Sequence, residues 1–206
     1  MIKKILLLST ALLFVVFLSS GQTMIYDVVK GSKTIGSVTV EISRDKGQVK
    51  YKINSDVNFR ILFSFNVKYQ MEEKFYGDRL TWGKAFNTLN GRIQKESEIF
   101  SQDDDTYKIV LDGIASITDK KHISYSVSKL YSQEPVNETA VFSQSFGRYL
   151  PLTKVSENSY ELDSPDGVNV YTYENGICKE VKVSRDFANF YFRIQEESFA
   201  RATETK

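Results

Sequence analysis

The amino-acid sequence predicts a mainly β protein, built as a curved antiparallel meander sheet or half-open β-barrel with one short helix or lid. Apolar and polar residues alternate with period two through most of the chain, as they do in half-buried strands. Dipeptides typical of tight hairpins separate the alternating runs. The chain has only three prolines and no internal repeat, which indicates a single β-rich domain over residues 22–206.

Residues 1–21 have the layout of a secretory signal peptide. Lys3 and Lys4 give a positive start, residues 5–18 form an apolar run, and residues 19–21 are small. We therefore expect cleavage after Gly21 and an exported protein, periplasmic or secreted. The apolar run is shorter than the roughly 20 residues that cross a bilayer, so we expect no transmembrane segment in the mature chain.

Composition argues against some classes of partner. Without Lys3 and Lys4 the chain has 25 basic and 26 acidic residues, a net charge of −1. Nucleic-acid binding usually needs a clustered basic excess, so we expect no nucleic-acid partner. The one cysteine, Cys178, cannot form an internal disulfide, and stability must come from packing.

The alternation defines strands in order along the chain. In the first clear run Val38, Val40 and Ile42 are separated by polar residues, which puts the apolar side chains on one buried face. The same rule holds over residues 49–59, 65–75, 80–86, 107–111 and 190–194.

Turn sequences fall between these runs. The hairpin dipeptides are Asn90-Gly91, Asp112-Gly113, Asp166-Gly167 and Asn175-Gly176, and Asp45-Lys46-Gly47 suits a slightly longer loop. Asn, Asp and Gly tolerate the positive φ that tight hairpins require. Strands joined this closely run antiparallel, and a meander of about ten strands tends to curl or close so that its edges are covered.

Residues 119–135 depart from the strand pattern. Four apolar residues there have the spacing of one helix face: Ile123, Val127, Leu130 and Tyr131. We favour a short helix, with a strand as the open alternative because alternate residues from Ile123 to Val127 are also apolar. Pro135 would end the helix, since proline disfavours helical geometry at the residue before it and cannot donate a backbone hydrogen bond. We interpret the following chain, up to Gly147, as a lid over the curved sheet rather than a catalytic loop.

Ordered segments of the chain resemble those of a known family. They are YDVVKGSKTIGSVTV near the mature start, EKFYGDRLTWGKAFNTLNG in the middle, and SYSVSKLYSQEP followed by VFSQSFGRYLPL. In this order they resemble a family of exported bacterial β-rich proteins of unknown function, over nearly the whole mature chain. The layout is also similar to half-open β-barrels of the lipoprotein-carrier type. The resemblance implies an architecture, and it implies no activity or site.

Apolar side chains near the predicted lid are the candidate ligand-binding residues. They are Phe63, Phe65, Trp82, Leu130, Phe142 and Phe146. Pockets for apolar ligands form naturally at the mouths of curved sheets and need few polar groups. The alternative is that these aromatic and aliphatic side chains are ordinary core.

The sequence contains no pattern that predicts catalysis. His122 is the only histidine and lies in a charged turn. Cys178 is expected to be a half-buried strand residue, since an activated thiolate needs a cationic group placed against it in space, which the sequence does not establish. The acidic run at residues 103–105 lacks the alternating spacing of a calcium loop. Glu72 and Glu73 could act as a pair only at a suitable separation. We expect no enzyme activity, no metal and no cofactor.

Two function classes follow. The first is an exported envelope protein that binds an apolar or lipid-like ligand in the concave face of the sheet. The second is a noncatalytic structural or assembly protein that binds protein partners of the envelope through an exposed sheet edge.

Overall fold

The computed structural model of the protein describes residues 21–60, 63–102, 106–118, 122–186 and 188–204. The first eight strands are β1 (Gly21–Lys30), β2 (Lys33–Asp45), β3 (Gln48–Arg60), β4 (Ser64–Tyr76), β5 (Arg79–Leu89), β6 (Arg92–Ser101), β7 (Tyr107–Leu111) and β8 (Ile114–Ile117). The others are β9 (Ala140–Ser143), β10 (Arg148–Ser156), β11 (Ser159–Ser164), β12 (Gly167–Glu174), β13 (Ile177–Arg185) and β14 (Ala188–Ile194). The helix α1 spans Glu196–Glu204.

The described strands form one 14-stranded antiparallel sheet made of two meanders. Its order runs from β8 back to β1, which pairs with β14, and then from β14 back to β9. Strands β8 and β9 are therefore the two edges, and they are not neighbours in the sheet. The predicted class, a mainly β antiparallel meander that is not closed and has one helix, is confirmed for the described residues.

Three of the four predicted hairpin dipeptides form tight turns between paired strands, and at the fourth the turn residues are Pro165 and Asp166 because Gly167 begins β12. Asn90, Asp112 and Asn175 have φ of 50°, 49° and 53°, and the glycine after each also has a positive φ. Such turns match the twist of antiparallel strands. Lys46-Gly47 makes the same two-residue turn between β2 and β3, tighter than the loop expected there.

Antiparallel pairing puts the connections at two opposite ends of the sheet. At the end that we call the open end lie the turns after β1, β3, β5, β7, β11 and β13, and the chain between β9 and β10. The remaining turns and α1 lie at the opposite end, the helix end. Inward side chains fill the helix end with a tyrosine-rich core: Met24, Tyr26, Tyr51, Phe75, Leu80, Tyr107, Tyr160 and Tyr173 are all buried.

Residues 122–147, the crossing segment, connect the region after β8 to β10 and include β9, and residues 123–132 of this segment lie largely buried inside the curved sheet. The helix predicted for residues 119–135 is wrong over 122–135, and residues 119–121 lie outside the described residues. The chain instead makes a 3₁₀ turn at Lys129–Tyr131 and a parallel bridge between Ser126 and Phe142. The sheet surrounds residues 123–131, where Ile123, Leu130 and Tyr131 are buried, so their spacing does not mark a helix face, whereas Val136 further along is 62% exposed.

Hydrogen bonds from inward-facing side chains and one backbone amide of the sheet hold the crossing segment. The Tyr173 hydroxyl donates to the Leu130 carbonyl at 2.7 Å, and the Ile123 amide donates to the Tyr107 hydroxyl at 3.3 Å. The Leu80 amide of β5 donates to the Ile123 carbonyl at 2.9 Å. These bonds satisfy backbone groups that lie away from water and outside any regular ladder, where an unpaired group would be costly.

Glu73 of β4 is the buried charged residue at the centre of this attachment. Its Oε2 accepts from the hydroxyls of Ser126 at 2.6 Å and Ser128 at 2.5 Å. Burial raises the pKa of the Glu73 carboxyl, and the two serine hydrogen bonds and the nearby Lys129 oppose the rise. Lys129 donates to the Ser124 carbonyl at 2.6 Å. The crossing segment is therefore fixed to β4 by polar contacts inside the protein.

Residues 144–147 of the crossing segment pack on the inner face of β5, β6 and β7. These contacts hold the sheet in its rolled shape, although its two edge strands form no hydrogen-bonded ladder with each other. Gln144 donates to the Ser97 hydroxyl at 3.3 Å, and it lies so close to Gly83 that a Cβ there would meet its Oε1 at 2.2 Å. A Cβ on Gly147, whose φ is 58°, would meet Ile109 at 2.8 Å. Small residues therefore permit the close approach.

The helix α1 covers the helix end beside β1 and β13. The Ser198 hydroxyl accepts from the Ile25 amide at 3.2 Å, at the point of β1 just beyond its pairing with β14. Ala202 is buried at the same contact. The helix thus covers the part of β1 that has no partner strand on the side of β14.

Replacing Glu73 with Gln should change how stability depends on pH. The amide oxygen still accepts both serine hydroxyls, but the side chain no longer ionises. Since burial raises the pKa of the Glu73 carboxyl above its ordinary value of 4.5, the wild-type carboxyl favours folding most below that pH and loses this contribution as pH rises through the folded pKa. Between the two pKa values we expect the free energy of unfolding to fall relative to the variant by up to about 1.4 kcal/mol per pH unit.

Urea denaturation of both proteins over about pH 4 to 8 measures this difference. Glu72→Gln is the matched control, because Glu72 faces outward and pairs with Lys50 at 2.8 Å. If wild type and Glu73→Gln gave parallel stability curves over that range, the buried carboxyl would not have the role assigned to it.

Candidate ligand-binding cavity

A cavity of about 720 Å³ occupies the half of the interior nearer the open end. The crossing segment separates it from the tyrosine-rich core, with Val127 and Tyr131 at its floor. Its size lies within the roughly 300–1,000 Å³ typical of small-molecule sites. The crossing segment is therefore the floor of a pocket, and the lid predicted over the sheet is not formed by it.

The cavity wall is mainly apolar because the inward positions of the strands are apolar. Both meanders contribute, which follows from the rolling of the sheet. The apolar lining includes Val28, Val38, Ile53, Val57, Phe59, Val67, Leu150, Leu162, Val181, Val183, Phe190 and Phe192. The rings of Phe59 and Phe190, from β3 and β14, lie 5.6 Å apart between centroids. Such a wall is suited to an alkyl chain or another apolar group.

Polar groups border the cavity at its mouth. Lys95 of β6 reaches across to Asp166, in the turn between β11 and β12, at 3.0 Å. The Lys95 ammonium also lies 4.5 Å from the centroid of the Phe146 ring. Arg185, at the end of β13, donates to Asn169 Oδ1 at 3.0 Å and to the Ser184 carbonyl at 2.8 Å. Burial lowers the pKa of the Arg185 guanidinium, although arginine stays charged at physiological pH.

Two amide oxygens beside the cavity lack a partner. Asn87 Oδ1 and Gln144 Oε1 are buried, and neither has a hydrogen-bond donor among the described residues. Most buried polar atoms in folded proteins are paired with protein or water. A donor supplied by water or by a ligand would satisfy them.

The predicted ligand-binding residues lie in different parts of the fold. Phe146 lines the cavity. Leu130 and Phe142 are fully buried in the packed interior, and Phe65 stacks on Phe59 with centroids 5.3 Å apart. Phe63 is 75% exposed in the turn after β3.

Trp82 lies away from the cavity. It faces outward from β5, and the Lys74 ammonium lies 4.7 Å from the centroid of its indole ring. The structure therefore brings one of the six predicted side chains to the large cavity and does not bring the six together. Sequence reasoning missed Val57, Val183 and Phe190, although their inward parity on alternating strands was a signal that could have found them.

The residues weighed for catalysis are dispersed. His122 Nε2 lies 3.1 Å from Asp78 Oδ1 at the surface. Cys178 is fully buried in β13, and burial raises the pKa of its thiol, which favours the unreactive protonated form. Glu72 and Glu73 point to opposite faces of β4. The acidic residues 103–105 lie outside the described residues.

Two further kinds of feature, a metal-binding cluster and a membrane-spanning helix, are absent from the described residues. No group of three or more His, Cys, Asp or Glu side chains is arranged there to hold a metal ion. None of the described helices has the length and apolar character needed to cross a membrane.

The fold is similar to one that has been solved for another protein. A solved structure, the β-barrel-like protein of domain of unknown function DUF1849 from Brucella abortus, is similar with a TM-score of 0.52 and 11% sequence identity. The similarity covers 86% of this chain and 96% of that one, and at this identity it supports a shared β-barrel-like fold alone. Comparison with curated proteins finds no match.

A family model matches most of the amino-acid sequence. The model described as Domain of unknown function (DUF6134) matches residues 26–195, which include all but the ends of the sheet and exclude α1. This match confirms the predicted membership of a β-rich family of unknown function. The chain therefore belongs to the DUF6134 family.

Proposed function

We propose that the protein is an exported, noncatalytic binding protein that holds an apolar or lipid-like molecule in the cavity. The single observation that carries this proposal is the cavity of about 720 Å³ with its apolar wall. Transfer of an alkyl chain from water into such a wall is favourable in proportion to the apolar area buried.

The contrast between the two halves of the interior supports the proposal. Toward the helix end, inward tyrosines and phenylalanines are packed against the crossing segment and are fully buried. Toward the open end, valine is the commonest apolar residue of the lining, beside phenylalanines such as Phe59 and Phe190, and space remains between the walls. Small side chains at inward positions would be a poor choice for a filled core, because an empty apolar cavity destabilises a fold.

Export belongs to the same proposal. Residues 1–21 provide the features of a leader peptide, and the mature sequence has one cysteine and so does not depend on an internal disulfide. A carrier or sensor of apolar molecules is useful in the envelope, since such molecules need protection from water between membranes.

A second candidate function is assembly through the edge strand β8. All four of its residues are exposed, and Ile114 and Ile117 are 76% and 59% exposed. An edge strand with exposed apolar side chains can accept a strand from a partner along its free edge. This function would depend on Ile114 and Ile117 and would be insensitive to changes inside the cavity, so cavity variants separate the two candidates.

Affinity for alkyl ligands should increase with chain length. Each methylene buried against the apolar wall contributes about 0.8 kcal/mol, so we expect roughly fourfold tighter binding per added carbon until the tail reaches the floor at Val127 and Tyr131. Displacement of a fluorescent fatty-acid probe by saturated fatty acids of increasing length measures this trend. Absence of binding at every length would contradict the proposed function.

Filling part of the cavity should weaken binding while preserving the fold. Ser55 faces the cavity from β3, and Ser37 is exposed on β2. We expect Ser55→Trp to weaken binding of the same probe about tenfold or more, because the indole takes space otherwise available to methylenes worth about 0.8 kcal/mol each. Ser37→Trp adds the same side chain outside and should bind normally. Equal affinities in the two variants, with both shown to be folded by circular dichroism, would place the ligand elsewhere.

Export predicts the start of the mature chain. Protein recovered from the cell envelope or medium should have Gln22 as its first residue, because signal peptidases cleave after small residues such as Gly21. Intact-mass spectrometry determines this directly. Recovery of chains that retain residues 1–21 from the cytoplasm would contradict the export part of the proposal.

A further inference from the structure

Three basic side chains occupy inward strand positions near the mouth of the cavity. Lys30 ends β1 two residues after the inward Val28, and Arg185 ends β13 two residues after the inward Val183. Lys95 lies two residues before the buried Ser97 on β6. Since side chains alternate between the two faces of a strand, all three face inward. The sheet brings them to the same end of the roll from three separated strands.

The surroundings of these cations are apolar or only partly neutralising. The Lys30 ammonium lies 5.5 and 5.9 Å from the ring centroids of Phe59 and Phe190, which line the cavity. The Arg185 guanidinium donates two hydrogen bonds to described residues, and both use Nη1 and go to neutral groups. Among the described residues, no carboxylate lies within ion-pair distance of Arg185 or Lys30.

The acids that border the cavity do not balance all of these charges. Asp166 pairs with Lys95, and Glu96 pairs with Lys84 on the outer face at 3.0 Å. Asp186 is exposed in the turn after β13. Asp166 is therefore the one acid that faces the three inward cations, and net positive charge remains beside the apolar cavity.

The two ends of the sheet also differ in charge. Among the described turns and the strand residues that flank them, the open end has six basic residues: Lys30, Lys33, Arg60, Arg92, Arg148 and Arg185. It has three acidic residues: Asp112, Asp166 and Asp186. The corresponding positions of the helix end have two basic residues, Lys46 and Arg79, and four acidic ones, Asp45, Asp78, Glu157 and Glu174. A basic rim attracts anions to the mouth and orients their approach.

We infer that the ligand is a single-chain amphiphile with an anionic head group, carboxylate or phosphate, whose alkyl chain fills the cavity and whose head lies among Lys30, Lys95 and Arg185. This inference rests on the proposed function and adds to it the chemical class and the orientation of the ligand. The guanidinium of Arg185 is suited to two hydrogen bonds with a carboxylate or phosphate. The Lys95 ammonium can exchange the Asp166 carboxylate for the head group.

Calorimetry with ligands that differ only in the head group tests the inference. The anionic ligands are hexadecanoate and lysophosphatidic acid, and the uncharged ones are hexadecanol and monoacylglycerol, all used below the concentration at which they aggregate. We expect each anionic ligand to bind at least about tenfold more tightly than its uncharged counterpart, because charged hydrogen bonds are the stronger ones. Preference for hexadecanoate or for lysophosphatidic acid then distinguishes a free fatty acid from a lipid phosphate as the source of the head group.

Variants locate the head-group site. Lys95→Gln with Arg185→Gln should reduce the preference for anionic ligands to about twofold or less and leave the affinity for hexadecanol unchanged. Lys182→Gln with Arg193→Gln removes the same charge from exposed outward positions on β13 and β14 and should preserve the preference. Arg185→Lys keeps the positive charge and should retain most of the preference for anionic ligands. This single variant replaces the double variant in the test if the double variant does not fold.

The outcomes separate this inference from the proposed function. Equal binding of anionic and uncharged ligands to the wild type would overturn the inference and leave the binding function intact. A preference that survives in the folded Lys95→Gln, Arg185→Gln protein, or that disappears in the outward control, would overturn the assigned site. Failure of every ligand to bind would overturn the proposed function itself.

Discussion

The attachment of the crossing segment to the inner face of the sheet is the interaction on which the rest of the structure depends. The chain must pass from edge strand β8 to edge strand β9, and residues 123–132 of that passage lie largely buried inside the rolled sheet. Tyr173, Tyr107 and Leu80 supply partners for that backbone, and Glu73 binds two of its serines. The sheet can roll around the segment only because these inward polar groups replace the missing ladder hydrogen bonds.

This attachment also divides the interior into two regions with different properties. On the side of the helix end the segment completes a packed core, and on the side of the open end it forms the floor of a cavity of about 720 Å³. The cavity wall is apolar at depth and basic at the mouth, where Lys95 and Arg185 lie. An apolar wall with basic residues at the mouth matches the two parts of an amphiphile. The residues that form it lie at inward positions of strands that are far apart in the sequence.

Most of the sheet could be predicted from the sequence because its physical signals are local. Alternation over β2, β3 and β4 is set by the burial of one face, and the turn at Asn90-Gly91 is set by its tolerance of positive φ. The crossing segment could not be predicted, because its environment comes from strands distant in sequence. Ile123 and Leu130 have helical spacing, yet the sheet encloses them from several sides and their backbone partners are tertiary. The helix α1 was missed because it begins just after the alternation ends, and few of its side chains are buried.

The candidate site was predictable in kind but not in position. The sequence indicated an apolar pocket inside a curved sheet, and aromatic residues were the natural candidates. Large side chains such as Phe142 instead fill space, while the cavity exists where inward residues such as Val57 and Val183 are small. Which inward positions face each other across the roll depends on the strand order, and in particular on the pairing of β1 with β14, which the sequence does not reveal.

Native mass spectrometry of mature protein, purified without detergent from the cells that make it, tests the central claim most directly. The cavity predicts a stoichiometric adduct that organic extraction releases as a single-chain lipid. A protein that has only its own mass, and that acquires no adduct when incubated with extracted envelope lipids, would contradict the claim that the cavity holds a ligand.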